Sequence, residues 1–461
     1  MEMFHHGPAG NILIGVVGKP SVGKSSFLNA ATEAQAKVGS YPFTTITPNR
    51  AVGYYQLPCQ CARFGLSHLC SPRYGSCENG IRRIPINLLD IAGLVPGASE
   101  GKVTYALISR PQSNFDRDVG MLFLMTCDMP KGDSTEGYDP SVDVAWFFDE
   151  LHSWVCFFPP PSTRNLSFPQ IFNNLWKKWP ALVRKHLHAK TSPVQALLSQ
   201  LSGYGARPVH IQRTLDALGS FELGTWDEGG VRRFVTTFLK TRFPIILVLN
   251  KIDTPRADQN MAKICAMYPD AQYVPVSAAA ERFLRNLHKA GVIHYLEGSD
   301  HYVTAEDDRE GRYSLKPLDE RTRRRLLNIQ DLMLFRYGST GVQAAIQRAV
   351  ETQRVLPVWL VKNVHNFTDG SGSPNPFRDV ILVPEGSTVR DVAYSVSHDM
   401  GEGLQYAEGP DGRRMAEDEV ITLQNNIFKF IWVPPVRAAP TGTGSPDGAT
   451  ATSTTPDAPH D

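Results

Sequence analysis

Short apolar runs bounded by glycine and polar residues recur along the chain, with longer mixed stretches between them. Residues 11–17 form such a run followed by glycines, which suits a buried parallel strand, and 25–36 then read as a helix. Residues 51–57 and 84–91 give two further strands, separated by a loop rich in cysteine. From 142 to 218 the pattern is mostly helical, broken at 159–161 by prolines and at 203–205 by glycines, and 228–240 predict another helix. Strands return at 244–249 and 273–277, and a helix is predicted over 318–353. Helices alternating with apolar strands imply a doubly wound, mostly parallel α/β sheet. From about 355 to 433 the pattern changes to short strands and turns, which predicts a second compact domain. Residues 436–461 are Thr, Pro, Gly, Ser and Ala with almost no apolar bulk, and are expected to be disordered.

Composition narrows this picture. At 461 residues the chain exceeds one ordinary domain, and its 42% hydrophobic and 20% charged content suits a globular protein. A formal net charge of +1 gives no global attraction to nucleic acid or membrane, so any such contact must come from local patches. No apolar run reaches a membrane span, and residues 1–11 lack the basic and apolar parts of a secretory signal. An odd number of cysteines, 7, without disulfide-like spacing, points to a reducing, cytoplasmic compartment.

The candidate chemistry lies at strand ends. Gly18, Lys19, Pro20, Ser21, Val22, Gly23, Lys24 and Ser25 fit G-x-x-x-x-G-K-[ST] between a strand and a helix. Glycines at both ends let the backbone curl around an anion, with N–H groups and a helix start facing phosphates. Lys24 would neutralise the β- and γ-phosphates and Ser25 would ligate Mg²⁺. Asp90 and Gly93 end the strand at 84–91; the carboxylate can hold Mg²⁺ through water and the glycine amide can touch the γ-phosphate. Asn250, Lys251 and Asp253 follow another apolar strand. The Asp253 carboxylate can accept from N1–H and the 2-amino group of guanine, whereas adenine would leave it unpaired. Lys251 can lie over the base and Asn250 can tie this loop to the phosphate loop. Ser277 and Ala278, after the strand at 273–277, would bring the Ala278 amide to guanine O6.

These residues resemble the Obg family of translation-associated GTPases, specifically its YchF-like branch. The resemblance rests on residues 18–26, on Tyr41-Pro42-Phe43-Thr44-Thr45-Ile46-Thr47-Pro48-Asn49, and on Leu89 through Ala98. Gly137-Tyr138-Asp139-Pro140-Ser141, the Asn250 to Asp253 motif and Phe335 through Val342 extend it. It implies a G domain over 11–300 with a helical insertion at about 143–225, then a helical segment at 301–353. A C-terminal β-grasp TGS domain at 354–433 completes the implied architecture. The partners implied are GTP and GDP together with the ribosome or RNA, and the chain is expected to be a monomer. Many YchF-like proteins carry another base motif and prefer ATP; Asn250 and Asp253 place this chain on the GTP-using side. Switch I would span residues 41–49, with Thr45 closing on Mg²⁺ and the γ-phosphate. The implied catalytic set is therefore Lys24, Thr45 and Gly93, and Ser26 joins the nucleotide-binding residues.

Two departures bear on hydrolysis. Leu94 follows Gly93 where Ras-like enzymes carry a water-orienting glutamine, which implies slow intrinsic turnover. A P-loop asparagine helps some relatives hold K⁺, and here that position is Ser21. After Lys102 the resemblance lapses until about Glu136. A genuine divergence or a shifted exon boundary would produce this, the second favoured because relatedness is strong on both flanks. The apolar run at 121–127 can replace the strand lost there.

Two further clusters stand apart. Cys59, Cys61, Cys70 and Cys77 lie in the loop between two strands. Four thiolates could bind a structural Zn²⁺ tetrahedrally, with His68 a possible substitute, or the thiols could simply pack the loop. Trp176, Lys177, Lys178, Trp179, Arg184, Lys185, His186 and His188 form a basic, aromatic stretch, and Arg321, Arg323, Arg324 and Arg325 a second one. Such groups grip phosphates and stack bases, or form a solvated helix face.

Overall fold

The computed structural model describes residues 12–19, 21–32, 49–90, 119–126, 139–144, 168–204, 206–242, 244–255 and 257–434. Expectations for Pro20, Thr44, Thr45, Gly93, Leu94, residues 103–118 and the tail at 436–461 lie outside the described residues.

The first apolar run becomes β1 (Leu13–Val17), buried from Ile14 onward as a strand covered on both faces must be. It lies inside a seven-stranded sheet with β2 (Asn49–Pro58), β3 (Ser76–Glu78), β4 (Ile81–Asp90), β5 (Val119–Thr126), β6 (Ile245–Asn250) and β7 (Tyr273–Val276). The order is β2-β4-β1-β5-β6-β7, with β3 on β4. The pairs β4–β1, β1–β5, β5–β6 and β6–β7 are parallel. Both β2 and β3 run antiparallel to β4. The run at 121–127 does supply a strand, β5. Register aligns Val16 with Asp90, Thr126 with Asn250, and Asn250 with Val276. The carboxyl ends of the parallel strands therefore share one edge, where open α/β sheets hold their ligands.

Side chains alternate across β6, as the two-residue strand period requires. Ile246 and Val248 join a core with Phe27 and Leu28 of α1 (Lys24–Ala31). Leu247 and Leu249 face the other side with Ile252, Ile264 and Met333.

Between β2 and β3 sits a short helix, α2 (Gln60–Arg63), in the cysteine-rich loop. Between β5 and β6 lie α3 (Phe168–Ala189), α4 (Pro193–Leu201), α5 (Pro208–Leu218) and α6 (Glu228–Arg242), which enclose a core of their own. After β6 come α7 (Ala257–Met267) and, after β7, α8 (Ala278–Lys289). A hairpin of β8 (Ile293–Tyr295) and β9 (Tyr302–Thr304) follows. The helix expected over 318–353 is interrupted. It splits into α9 (Glu320–Ile329), a π-helical turn Gln330–Leu334, a short helix Phe335–Tyr337, and α10 (Val342–Glu351). The chain leaves the helix at Gly338 (φ 74) and restarts it after Gly341 (φ 82), where only glycine fits because a Cβ would lie 2.0 Å from the Pro275 carbonyl oxygen.

The C-terminal part is a five-stranded sheet of β10 (Val355–Leu360), β11 (Asp379–Pro384), β12 (Leu404–Glu408), β13 (Arg414–Met415) and β14 (Ile427–Trp432). Its order is β11-β10-β14-β12-β13, with β10 and β14 parallel. The helices α11 (Val389–Val396) and α12 (His398–Gly403) follow β11. Val358, Leu360, Val392, Met400 and Phe428 form the core on their side. Trp359, Leu382 and Ile427 face the other way and share a core with Cys59, Cys61 and the large sheet.

Candidate nucleotide site

The loop after β1 has positive φ at Gly18 (154), Ser21 (63) and Gly23 (100), a succession that turns backbone N–H groups toward one concavity. Lys24 opens α1 and is 8% exposed. Its ammonium donates to the carbonyls of Gly18 (2.9 Å) and Lys19 (2.8 Å), so it lies back across its own loop. Burial lowers its pKa to about 8, against the opposing pull of the Asp90 charge. Ser25 Oγ donates to Asp90 Oδ2 at 3.2 Å, and Asp90 is fully buried at the end of β4. A hydroxyl beside a carboxylate is the oxygen pair a small, hard cation takes, so these residues fit Mg²⁺.

Asn250, at the end of β6, joins three loops. Its Nδ2 donates to the Val22 carbonyl at 2.9 Å, and its Oδ1 accepts from the Ala278 N–H at 3.2 Å. Gly23 is needed at this crossing, since a Cβ would lie 2.4 Å from Asn250 Nδ2. The Ala278 amide expected at guanine O6 is therefore in contact with Asn250 in this structure. Lys251 adopts φ 63, Ile252 N–H donates to the Val276 carbonyl at 3.3 Å, and Asp253 is exposed at the turn. Ser277 is buried and caps α8, its Oγ accepting from the Ala280 N–H at 3.1 Å.

Two features were missed in the sequence. Asp143, only 2% exposed, forms an ion pair with Lys19 of the phosphate loop. It sits in helical residues 140–144, whose start is fixed by Asp139 accepting from Ser141 N–H (3.0 Å) and Oγ (2.7 Å). Asp139, Pro140 and Ser141 belong to a motif that carries the family resemblance, but nothing local marks a pairing across 124 positions. Behind the base loop, Glu281 of α8 is buried and accepts from Tyr295 Oη at 2.8 Å and from Thr340 Oγ1. Thr340 in turn accepts the Ser277 N–H at 2.9 Å. The Phe335 to Val342 motif thus braces the loop at Ser277 and Ala278.

The two basic clusters differ: the α3 cations face outward, whereas the second group is largely paired. Trp179 is buried and stacks on Trp226 with centroids 5.7 Å apart, so it cannot stack on a base. Lys177, Lys178, Arg184 and Lys185 line the outer face of α3, opposite Ile171, Phe172, Leu175 and Leu182. Arg323 pairs with Glu306, Arg324 with Glu320, and Arg325 lies over the Phe283 ring at 4.1 Å. The four cysteines come together at the far end of β4 from Asp90, their sulfurs all within 4.8 Å of one another.

A glycine-rich loop, a serine–carboxylate pair and a bridging asparagine on the carboxyl edge of a parallel sheet define a P-loop GTP-binding protein. Residues 13–140 match the family described as "50S ribosome-binding GTPase". Residues 248–363 match "Obg-like GTPase YGR210-like, G4 motif-containing domain". A GTP-binding protein of Schizosaccharomyces pombe is 42% identical over 423 residues, covering 91% of this chain and 98% of its own. One of Methanocaldococcus jannaschii is 34% identical over 420 residues, again covering 91% and 98%. The crystal structure of a GTP-binding protein from Pyrococcus horikoshii superposes with a TM-score of 0.58 at 25% identity, over 92% of this chain and 100% of that one. The chain belongs to the Obg-like GTPase family.

Proposed function

We propose that this chain is a Mg²⁺-dependent switch that binds GTP and GDP, hydrolyses GTP slowly, and acts in the cytoplasm as a monomer on the ribosome or its RNA. The observation that carries the nucleotide assignment is the Asn250 bridge, which ties the phosphate loop at Val22 to the base loop at Ala278. In this reading residues 18–26 wrap the phosphates. On nucleotide binding the Lys24 ammonium exchanges its loop carbonyls for phosphate oxygens. Asp253 accepts from the guanine edge, with Lys251 over the base and Ser277 and Ala278 beneath its O6 side. Ser25 and Asp90 would hold Mg²⁺, with Thr45 joining in the GTP state, and the ion would supply charge neutralisation at the phosphates. Gly93 would sense the γ-phosphate. Leu94 offers no polar atom to orient water, which supports slow turnover.

The ribosome or RNA assignment draws on the description of the family matched by residues 13–140. It also draws on the likeness of residues 354–433 to a TGS domain, as in the YchF-like branch. The mixed sheet order β11-β10-β14-β12-β13 suits a β-grasp. Among the described residues no helix is long and apolar enough to cross a membrane. Calorimetry with Mg²⁺-GTP tests the phosphate site. Lys24→Ala and Ser25→Ala should abolish measurable binding while leaving the fold intact, and wild-type affinity in either would place the site elsewhere. A second reading, a nucleotide-dependent ribosome ligand without turnover, is favoured by the departure between Lys102 and Glu136. Phosphate release by the purified chain separates the two.

A further inference from the structure

The sulfurs of Cys59 and Cys70 stand 3.8 Å apart and those of Cys61 and Cys77 3.6 Å apart, all four as free thiols. A regular ZnS₄ tetrahedron with Zn–S bonds of about 2.3 Å has edges of about 3.8 Å. The ligands are held by three separate pieces of backbone. Cys59 and Cys61 flank the start of α2, Cys70 ends the loop's 3₁₀ turn, and Cys77 lies on β3. The Cys59 N–H donates to the Gly80 carbonyl at 2.7 Å, and the Leu66 N–H to the Cys61 carbonyl at 2.7 Å, which closes the loop on itself.

A second observation points to an anionic centre. Arg82, next to the cluster, is 1% exposed. Its neighbours Arg73 and Arg378 are paired with Asp379 and Asp369. Among the described residues no carboxylate forms a salt bridge with Arg82. Its guanidinium donates to Cys70 Sγ at 3.9 Å and to the Arg378 carbonyl at 2.8 Å, and its Nε has no hydrogen-bond partner. Burying a guanidinium without a counter-charge is costly. Asp379, the carboxylate whose charge reaches it, is already bound by Arg73, so neutral thiols would leave the guanidinium without a direct counter-charge. Four thiolates around Zn²⁺ carry a net charge of −2 and supply the missing anion.

The location gives the centre a task. Around it the C-terminal sheet meets the nucleotide-binding sheet. Phe64 packs against Phe367 in a tilted pair with centroids 4.5 Å apart, and Arg82 lies over the Trp359 ring at 5.5 Å. Arg73 Nε donates to Asp379 Oδ1 at 2.9 Å, and the Arg73 N–H to the Arg378 carbonyl at 3.1 Å. Every one of these contacts starts from the cysteine loop or from β4 beside it. The loop has little regular structure to hold it in shape otherwise.

We propose that Cys59, Cys61, Cys70 and Cys77 hold a structural zinc ion as a tetrathiolate, counter-charged by Arg82, and that this centre seats the C-terminal sheet on the nucleotide-binding sheet. Binding converts four thiols to thiolates and releases their protons to solvent. The reading is independent of the nucleotide assignment. Metal analysis of the full chain, purified from zinc-supplemented medium without chelator, should find about one zinc per chain. Its four cluster thiols should be protected from a thiol reagent until a strong chelator removes the metal. Less than a tenth of an equivalent of zinc with the thiols freely reactive, or iron in its place, overturns the site. Hydrogen exchange before and after chelation reads the second half of the proposal. Exchange across residues 60–75 and 367–379 should accelerate at least tenfold, while α5 and α6 keep their rates. Unchanged exchange at that junction after zinc loss overturns the seating role. A Cys70→Ser variant, removing a half-buried ligand, should reproduce the chelated pattern.

Discussion

Replacing Asn250 by alanine tests whether one buried amide organises the site. The substitution deletes the donor to the Val22 carbonyl (2.9 Å) and the acceptor of the Ala278 N–H (3.2 Å), at a residue 3% exposed. Each net hydrogen bond contributes about 1 kcal/mol, and each buried group left without a partner costs about 1–3 kcal/mol. Solvent reaching the loosened loops recovers part of that, which leaves about 2–4 kcal/mol against the joined arrangement. If nucleotide binding requires that arrangement, the loss falls on affinity, about 30- to 1000-fold. Because the bridge supports loops rather than reading the base, GTP and GDP should weaken together and base preference should survive. Equilibrium titration of a fluorescent GDP analogue, with unlabelled nucleotides as competitors, measures this. Asn250→Ala binding within threefold of wild type, with an unchanged urea midpoint, would refute the reasoning.

Lys24 has a pKa lowered to about 8 by burial, while phosphate contact favours its charged form, so binding takes up a proton above that pH. Affinity should be flat below about pH 7 and fall roughly fivefold between pH 8 and 9, with Lys24→Arg as the non-titrating control. A flat profile for wild type would contradict it. Burial raises the Glu281 carboxyl to about 7, so the folded state holds a proton that the unfolded chain releases near the ordinary carboxyl range. Its stabilising contribution is full below the unfolded value and is lost as pH rises through about 7. Glu281→Gln should flatten the urea stability profile from pH 5 to 8, and an unchanged slope would speak against the buried proton. Replacing residues 103–135 with a family-like switch II segment should raise single-turnover hydrolysis at saturating GTP with little change in affinity. Equal rates would show that the segment is not needed.

The phosphate and base motifs were legible because each is punctuated at a strand end. Gly18 and Gly23 need backbone freedom, and Asp90 and Asn250 close apolar runs, so short windows hold the whole signal. The core pattern of β6 was equally readable. What lay beyond reach was set by distant partners. Asp143 looks like any helix carboxylate until Lys19 meets it, and Glu281 is a polar residue in a helix until Tyr295 and Thr340 enclose it. The split in the predicted helix at 318–353 falls at Gly338 and Gly341, both at positive φ, and the need for glycine at 341 comes from the Pro275 carbonyl on another strand. The tryptophans of α3 suggested base stacking because composition does not say which face is inward. Trp179 recurs with Leu175 and Leu182 on the buried stripe and stacks on Trp226. The cysteine spacing suggested a metal, but the burial of Arg82 against Cys70 without a salt-bridge partner has no trace in sequence.

Base recognition is the most direct test of the account. Competition of GTP, ATP and xanthosine triphosphate against a fluorescent GDP analogue should rank GTP at least about tenfold above ATP, equivalent to about 1.4 kcal/mol. Asp253→Asn should weaken GTP and favour xanthosine triphosphate, whose carbonyl replaces the guanine amino group. Equal affinities for GTP and ATP, or an Asp253→Asn variant with unchanged preference, would contradict the assignment of this edge of the sheet as a guanine nucleotide site.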